Sequence, residues 1–245
     1  MKIYSKTDIG MHRSMNQDSL FVSEANSNGL KLCILADGMG GYKGGEIASK
    51  VAITAVSKYI LDQFESRPKD KDSLLGLVEE AIEFANSAIY EESEQDEELQ
   101  DMGTTIEVVM IYKSKLFIGH IGDSRVYRIR KNGIKKITTD HSYVEQLIRD
   151  GDITREESYN HPKKNLLTRA LGTDEEVKPD LIYTVFNRND VIVMCSDGLT
   201  NMVREDDICD IICETNDDTT GALIDEANAA GGIDNISVIV IDNRE

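Results

Sequence analysis

Apolar residues at positions 47, 48, 51, 52, 55, 56, 59 and 60 recur at the spacing of one helix face. A second stripe, Leu74, Val78, Ala81, Ile82, Ala85 and Ile89, predicts another helix over 73–90, with a break at Arg67-Pro68 between the two. The acidic stretch 91–98 reads as a solvated helix end or loop. Elsewhere the pattern shortens. Residues 30–36, 104–112, 115–121, 124–130, 180–184, 191–195 and 236–241 are β-branched or aromatic-rich runs that predict strands. Turn residues separate several of them, as at Lys131-Asn132-Gly133 and 187–190. A third helical region is expected over 142–160, and the last helices over 205–213 and 220–230. Closely spaced strands with intervening helix pairs predict an α+β fold, with sheets packed on each other and helices outside. Repeats, linkers and low-complexity tracts are missing, so 1–245 is expected to form a single domain.

Composition adds an electrostatic constraint. The 245 residues are 40% hydrophobic and 29% charged, which argues for a folded chain. With 45 Asp and Glu against 27 Lys and Arg, the formal net charge is −18. Such a surface repels nucleic acid and anionic membranes, and neither is expected as a partner. The start has no apolar signal core, and no run approaches the ~20 apolar residues of a membrane helix. Cys33 and Cys195 lie in strand-like runs, and Cys209 and Cys213 would share a helix face without a nearby histidine. Reduced, packed thiols in a cytoplasmic protein fit this better than disulfides or zinc. No heptad or long apolar stripe argues for assembly, so a monomer is expected.

The candidate chemistry lies in aspartates beside strand ends. Asp37 opens Asp37-Gly38-Met39-Gly40-Gly41, Asp123 lies in Gly122-Asp123-Ser124-Arg125, Asp197 in Ser196-Asp197-Gly198, and Asp234 in Gly231-Gly232-Ile233-Asp234-Asn235. Asp18 adds a fifth in Asn16-Gln17-Asp18-Ser19. Any one of these reads most simply as a turn. Converging at one edge of packed sheets, they could not all stay ionised without cations. Carboxylate and carbonyl oxygens suit Mg²⁺ or Mn²⁺, and a glycine beside Asp37 opens the backbone carbonyl to an ion.

The ordered set Gly10-x-x-Arg13-x-x-Asn16-Gln17-Asp18-Ser19, Asp37-Gly38-Met39-Gly40-Gly41, Met102-Gly103-Thr104-Thr105, Gly122-Asp123-Ser124-Arg125, Asp140-His141-Ser142, Leu167-Thr168-Arg169-Ala170-Leu171-Gly172, Ser196-Asp197-Gly198-Leu199 and Asp234-Asn235 resembles the metal-dependent protein serine/threonine phosphatases of type 2C, in their compact bacterial branch. The resemblance runs from Thr7 to Val240. It implies a four-layer α-β-β-α sandwich of two antiparallel sheets and a dinuclear Mn²⁺ or Mg²⁺ site. By resemblance, Asp37 bridges both ions, Gly38 offers its carbonyl, and Asp197 and Asp234 complete the pair. Asp18 matches a carboxylate acting through water, and Asp123, with Asp197, matches the position of a third, looser ion. Arg13 matches the arginine that grips the substrate phosphate; taken alone it would read as a surface ion pair.

The implied reaction is hydrolysis of phosphoserine and phosphothreonine by a water or hydroxide bridging the two ions, without a phosphoenzyme. Partners would be phosphorylated proteins, including a serine/threonine kinase of eukaryotic type. Some relatives carry a histidine general acid directly after Asp-Gly; Met39 stands there in this chain. His141 and His161 lie in the segment 140–172, which resembles the family's mobile flap; either is a candidate for the role, with a metal-bound water as the alternative and a structural hydrogen bond as the plainer reading of each histidine. Lys163, Lys164 and Arg169 would give that segment either a local positive patch for a phosphorylated segment or simply a solvated face. Signatures of cysteine-nucleophile phosphatases, nucleotide P-loops, zincins and serine hydrolases are missing. Two other readings stand beside this one: a non-catalytic pseudophosphatase or binding module, and a phosphatase of small phosphate esters.

Overall fold

The computed structural model describes residues 1–23, 29–41, 43–131, 133–215 and 218–244. Among them, one sheet has the order β1 (Lys2–Asp8), β11 (Ile236–Asp242), β10 (Val191–Cys195), β7 (Arg125–Arg130) and β8 (Gly133–Lys136). The second runs β2 (Asp18–Val22), β3 (Lys31–Met39), β5 (Ile106–Tyr112), β6 (Lys115–Ile121) and β9 (Asp180–Val185), with β4 (Gly103–Thr104) paired to the end of β3. Every pairing in both sheets is antiparallel.

The strands read as nearly continuous apolar runs because both of their faces are covered. On β3, Cys33 and Leu35 point between the sheets, while Leu32, Ile34 and Ala36 point toward the helices. On β10, Ile192 and Met194 face the other sheet and Val191, Val193 and Cys195 face outward. This period-2 division of one strand between two cores makes three apolar layers. Helices α1 (Gly44–Gln63) and α2 (Lys71–Gln95) cover the second sheet, and α6 (Glu205–Glu214) and α7 (Thr219–Ala229) cover the first. The result is the expected four-layer α-β-β-α sandwich.

Several local expectations needed correction. The region 142–160 divides into α3 (Tyr143–Asp150) and α4 (Arg155–Ser158), because Gly151 ends α3 in the left-handed conformation. The run 104–112 breaks at Thr105 into β4 and β5. In the acidic stretch the helix-end alternative holds: helix α2 continues to Gln95, mostly exposed there, and a short 3-10 turn, Glu97–Leu99, follows. Strands β1, β2 and β8 were not predicted. Residue Asn132 of the expected turn lies outside the described residues. All four cysteines are free; Cys33 and Cys195 are packed as expected, but Cys213 is exposed.

Candidate metal centre

Antiparallel pairing explains why the aspartates alternately follow and precede strands. Where one strand ends, its neighbour begins. Asp18, which opens β2, lies opposite Asp37 near the end of β3. Arg125, which opens β7, pairs with Cys195 at the end of β10, so Asp123 and Asp197 leave the sheet at the same edge. Cys195 pairs with Val238 of β11, bringing the preceding Asp234 to that edge as well. Asp8, which ends β1, is opposite Ile236, so the segment carrying Arg13 departs there too.

The backbone at this edge is fixed by its own hydrogen bonds. The Asp37 N–H donates to Thr105 Oγ1 at 3.0 Å, and its carbonyl accepts from Thr105 N and Thr104 Oγ1, both at 2.9 Å. Gly38 lies against the start of α1, where a Cβ would sit 2.0 Å from the Gly45 carbonyl oxygen, so only glycine lets helix and strand end meet. Asp197 is the first residue of the short helix α5 (Asp197–Thr200), not a turn residue as expected, and its Oδ2 accepts from Asn201 Nδ2 at 2.9 Å. Asn235 ties the N-terminal segment to β11: its Oδ1 accepts from Gln17 N, and its Nδ2 donates to the Ile9 and Met15 carbonyls, all at 2.9 Å. Arg13 is thereby brought to Asp234, Nη2 to Oδ2 at 2.8 Å.

Asp37, Asp123, Asp197 and Asp234 line one cleft of about 220 Å³, together with Arg13 and Gly38. Asn165 and Leu167 from the segment 140–172 form part of its wall. Asp18 is buried behind it. The Asp18 Oδ2 accepts from Ser196 Oγ at 2.9 Å, and its Oδ1 is buried without a hydrogen-bond partner among the described residues. Six of the seven sequence-predicted site residues therefore line this cleft, and the seventh supports it from behind.

The electrostatics are those of crowded anions. Burial raises Asp18 to about 6, opposed by the Ser237 and Ser196 hydroxyls and reinforced by Asp197. Burial, followed by the charge of Asp234, raises Asp197 to about 6. Asp37 is pushed well above the usual carboxylate range by burial and then by Asp18, Asp197, Asp123 and Asp234. Asp123 is displaced the same way by burial, Asp197 and Asp140, with Arg125 opposing. The only cationic side chain lining the cleft among the described residues is Arg13.

Four carboxylates against one guanidinium is a donor set suited to hard divalent ions. Among the described residues, no three Asp, Glu, His or Cys groups converge into a ready-made cage. Mg²⁺-type ions accept this, since they take one or two carboxylates and keep several waters.

The candidate acids stand elsewhere. Neither His141 nor His161 lines the cleft. His141 is buried and its Nδ1 accepts from the Gly122 N–H, while His161 Nδ1 accepts from Lys163 N. The expected positive patch is also dispersed. Arg169 is paired with Asp180 at 2.9 Å, and Lys163 lies over the Tyr143 ring. Lys164 reaches a smaller hollow that shares Asp123, Asn165 and Asp197 with the cleft. Sequence reasoning missed Asn165, Asn201, Thr105 and Ser196; of these, Thr105 and Ser196 stood inside the motifs without an assigned role. A larger apolar groove of about 470 Å³ over α1 and α2, lined by Val51, Tyr59 and Phe84, shares no residue with the cleft.

A family model of protein phosphatase 2C matches residues 11–222. The protein phosphatase PhpP of Streptococcus pneumoniae is 38% identical over 251 residues, covering 100% of this chain and 98% of that protein. The solved serine/threonine phosphatase of S. agalactiae is 39% identical, with a TM-score of 0.89 and 98% of each chain covered. The catalytic domain of the serine/threonine protein phosphatase PstP, solved in complex with two manganese ions, is 32% identical, with a TM-score of 0.86, covering 98% of this chain and 97% of that one.

Proposed function

Since the chain belongs to the protein phosphatase 2C family of metal-dependent serine/threonine phosphoprotein phosphatases, we propose that phosphoserine and phosphothreonine of other proteins are hydrolysed in the cleft bounded by Arg13, Asp37, Asp123, Asp197 and Asp234. One observation carries this assignment: four aspartates face a common space whose only cationic wall among the described residues is Arg13. Asp37, the Gly38 carbonyl, Asp197 and Asp234 would hold two Mn²⁺ or Mg²⁺ ions, with Asp18 acting through a water and Asp123 joining Asp197 at a third, looser ion. Such ions supply an activated water and a positive field at the phosphoryl oxygens.

The chain's own residues do the rest. Thr104 and Thr105 hold the Asp37 peptide in place, and Asn201 orients the Asp197 carboxylate. Arg13 is half exposed and already oriented by Asp234, so its fork is positioned to receive the substrate's phosphoryl oxygens. Asn165 and Leu167 place the segment 140–172 beside the reacting centre, which suits a flap that reads the peptide around the phosphorylated residue. No histidine among the described residues lines the cleft.

We extend the reading to a single cytoplasmic catalytic domain, acting as a monomer and opposing a serine/threonine kinase. The four free cysteines suit a reducing compartment, and among the described residues no helix is long and apolar enough to cross a membrane. The test is phosphate release from a phosphothreonine peptide with Mn²⁺, followed by chelator. Release that begins with Mn²⁺ and stops with chelator is expected. No metal-dependent release at any pH from 5 to 9 defeats the assignment (a range that brackets the raised carboxylates at about 6).

A further inference from the structure

His141 lies outside the cleft yet connects two parts of its wall. Its backbone N–H donates to the Gly122 carbonyl at 2.7 Å, and the Gly122 N–H returns a hydrogen bond to His141 Nδ1 at 3.1 Å. Gly122 takes φ +108, and a Cβ there would meet the Thr105 side chain at 2.5 Å, so this turn has little freedom of its own. The next residue is Asp123. On its other side, the His141 carbonyl accepts from Thr168 N at 2.8 Å, and Tyr143 N donates to the Leu166 carbonyl at 2.8 Å. These bonds hold the stretch that carries Asn165 and Leu167 into the cleft.

The ring's role follows from hydrogen-bond chemistry. A backbone N–H can only donate, so His141 Nδ1 presents its lone pair and the proton of the neutral ring sits on Nε2. Nε2 lies 3.2 Å from Asp180 Oδ2 without completing a hydrogen bond. Beneath it, the His120 ring stacks at 4.5 Å between centroids. His120 is fixed in turn: Nε2 donates to the Thr139 carbonyl at 2.9 Å, and Nδ1 is held by Glu107, its partner across β5 and β6. Both side chains of that pair are fully buried. Burial and the neighbouring His120 and Arg169 push His141 down to about 4, which keeps its ring neutral and its Nδ1 free to accept.

We infer that His141 is a positioning residue, whose Nδ1 acceptor locks the turn bearing Asp123 to the base of the segment 140–172 and so fixes Asp123 relative to Asn165 and Leu167. This rests on the reading of the cleft as the phosphate-hydrolysing site, and it assigns His141 no proton transfer.

The variants His141→Asn, His141→Gln and His141→Phe separate the possibilities. The asparagine carbonyl oxygen, bonded to Cγ like Nδ1, keeps an acceptor for Gly122; glutamine carries its acceptor one bond farther out, and phenylalanine has none. His141→Asn is expected to keep kcat/KM within about threefold of wild type, while His141→Gln and His141→Phe lose about tenfold, the scale of an unpaired buried N–H. The loss should appear in KM for a phosphothreonine peptide and in the Mn²⁺ concentration for half activation, with kcat little changed. A general acid would instead lose kcat in all three variants, His141→Asn included.

A second readout needs no turnover. In the metal-free protein, the Gly122 amide should exchange slowly in wild type and His141→Asn, and faster in the other two. Nitrogen-15 spectra of wild type should show His141 protonated on Nε2 only. A proton on Nδ1, or His141→Asn as impaired as His141→Gln, overturns the inference. Wild type without Mn²⁺-dependent release overturns the functional reading instead, and the amide and nitrogen measurements still decide this one.

Discussion

Replacing Asp37 by asparagine should stabilise the metal-free protein while weakening its response to Mn²⁺. Asp18 sets the scale. Its carboxyl moves from the ordinary 3.8 to about 6 on folding, and at ~1.4 kcal/mol per pKa unit that is ~3 kcal/mol of destabilisation once it ionises. Asp37 is displaced in the same direction, faced by four other carboxylates. The sign is opposite to that of a salt-bridged aspartate. A raised pKa means that the folded state binds its proton more tightly than the unfolded chain does. That contribution is complete below 3.8 and is lost as pH rises through the folded value. Wild type and Asp37→Asn should therefore converge in acid. By pH 8, in chelator, the variant should melt higher than wild type; the shift of Asp18 alone corresponds to ~3 kcal/mol, or ~6–12 °C for a chain of this size. Comparing the two proteins at each pH cancels His141, lowered to about 4, and Glu107, raised to about 7, which act in both. Adding Mn²⁺ at ~100 times its Kd should raise wild type by ~2.7 kcal/mol and the variant by much less. Thermal melts followed by circular dichroism, with and without Mn²⁺, measure all four states. A variant that melts at or below wild type in chelator at pH 8, or an equal Mn²⁺ shift in both proteins, refutes the reasoning.

Two further outcomes follow from the same geometry. Arg13→Ala should lower kcat/KM on a phosphothreonine peptide by ~10²–10³-fold, with Arg13→Lys recovering only part because it lacks the fork; unchanged kinetics in Arg13→Ala would remove it from the site. Gly38→Ala places a Cβ 2.0 Å from the Gly45 carbonyl oxygen, and the forced separation of α1 from β3 should cost about 3 kcal/mol, read as a lower urea midpoint; an unchanged midpoint would mean that this contact is slack.

What could be read from the sequence depended on how much of each element is buried. Lys115–Ile121 and Val191–Cys195 are almost wholly buried, and their predicted limits agree with the structure. Strand β1 is KIYSKTD, mostly exposed or half-buried, and its order comes from pairing with β11. No local apolar pattern marks it. Strand β2 alternates too weakly for the same reason, and with it went the pairing of Asp18 to Asp37 across an antiparallel register. The short helix at Asp197 did leave a signal: Ser196 stands where an N-cap belongs, before an acidic first residue. Asn165 left none. Its arrival in the cleft depends on the hydrogen bond between His141 and Thr168, a contact between distant residues with no local pattern.

Folding alone gives no reason for the arrangement at the sheet edge. Two carboxylates placed directly across an antiparallel pair repel each other, and asparagine or serine at either position would serve the strands better. The Asp18 Oδ1 is buried without a partner among the described residues, a cost that packing elsewhere does not require. Meanwhile the neighbouring backbone is fully engaged, with the Asp37 N–H and carbonyl both bonded to the Thr104-Thr105 step. The same few residues are therefore held rigidly in place and left electrostatically unsatisfied. Flexible chain would relax such repulsion by moving the charges apart; here strand register and the Gly38–Gly45 contact prevent it. A rigid frame around such negative charge gains stability when protons or metal cations enter, so under the proposed assignment ion binding and catalytic geometry would be set by the same strand ends.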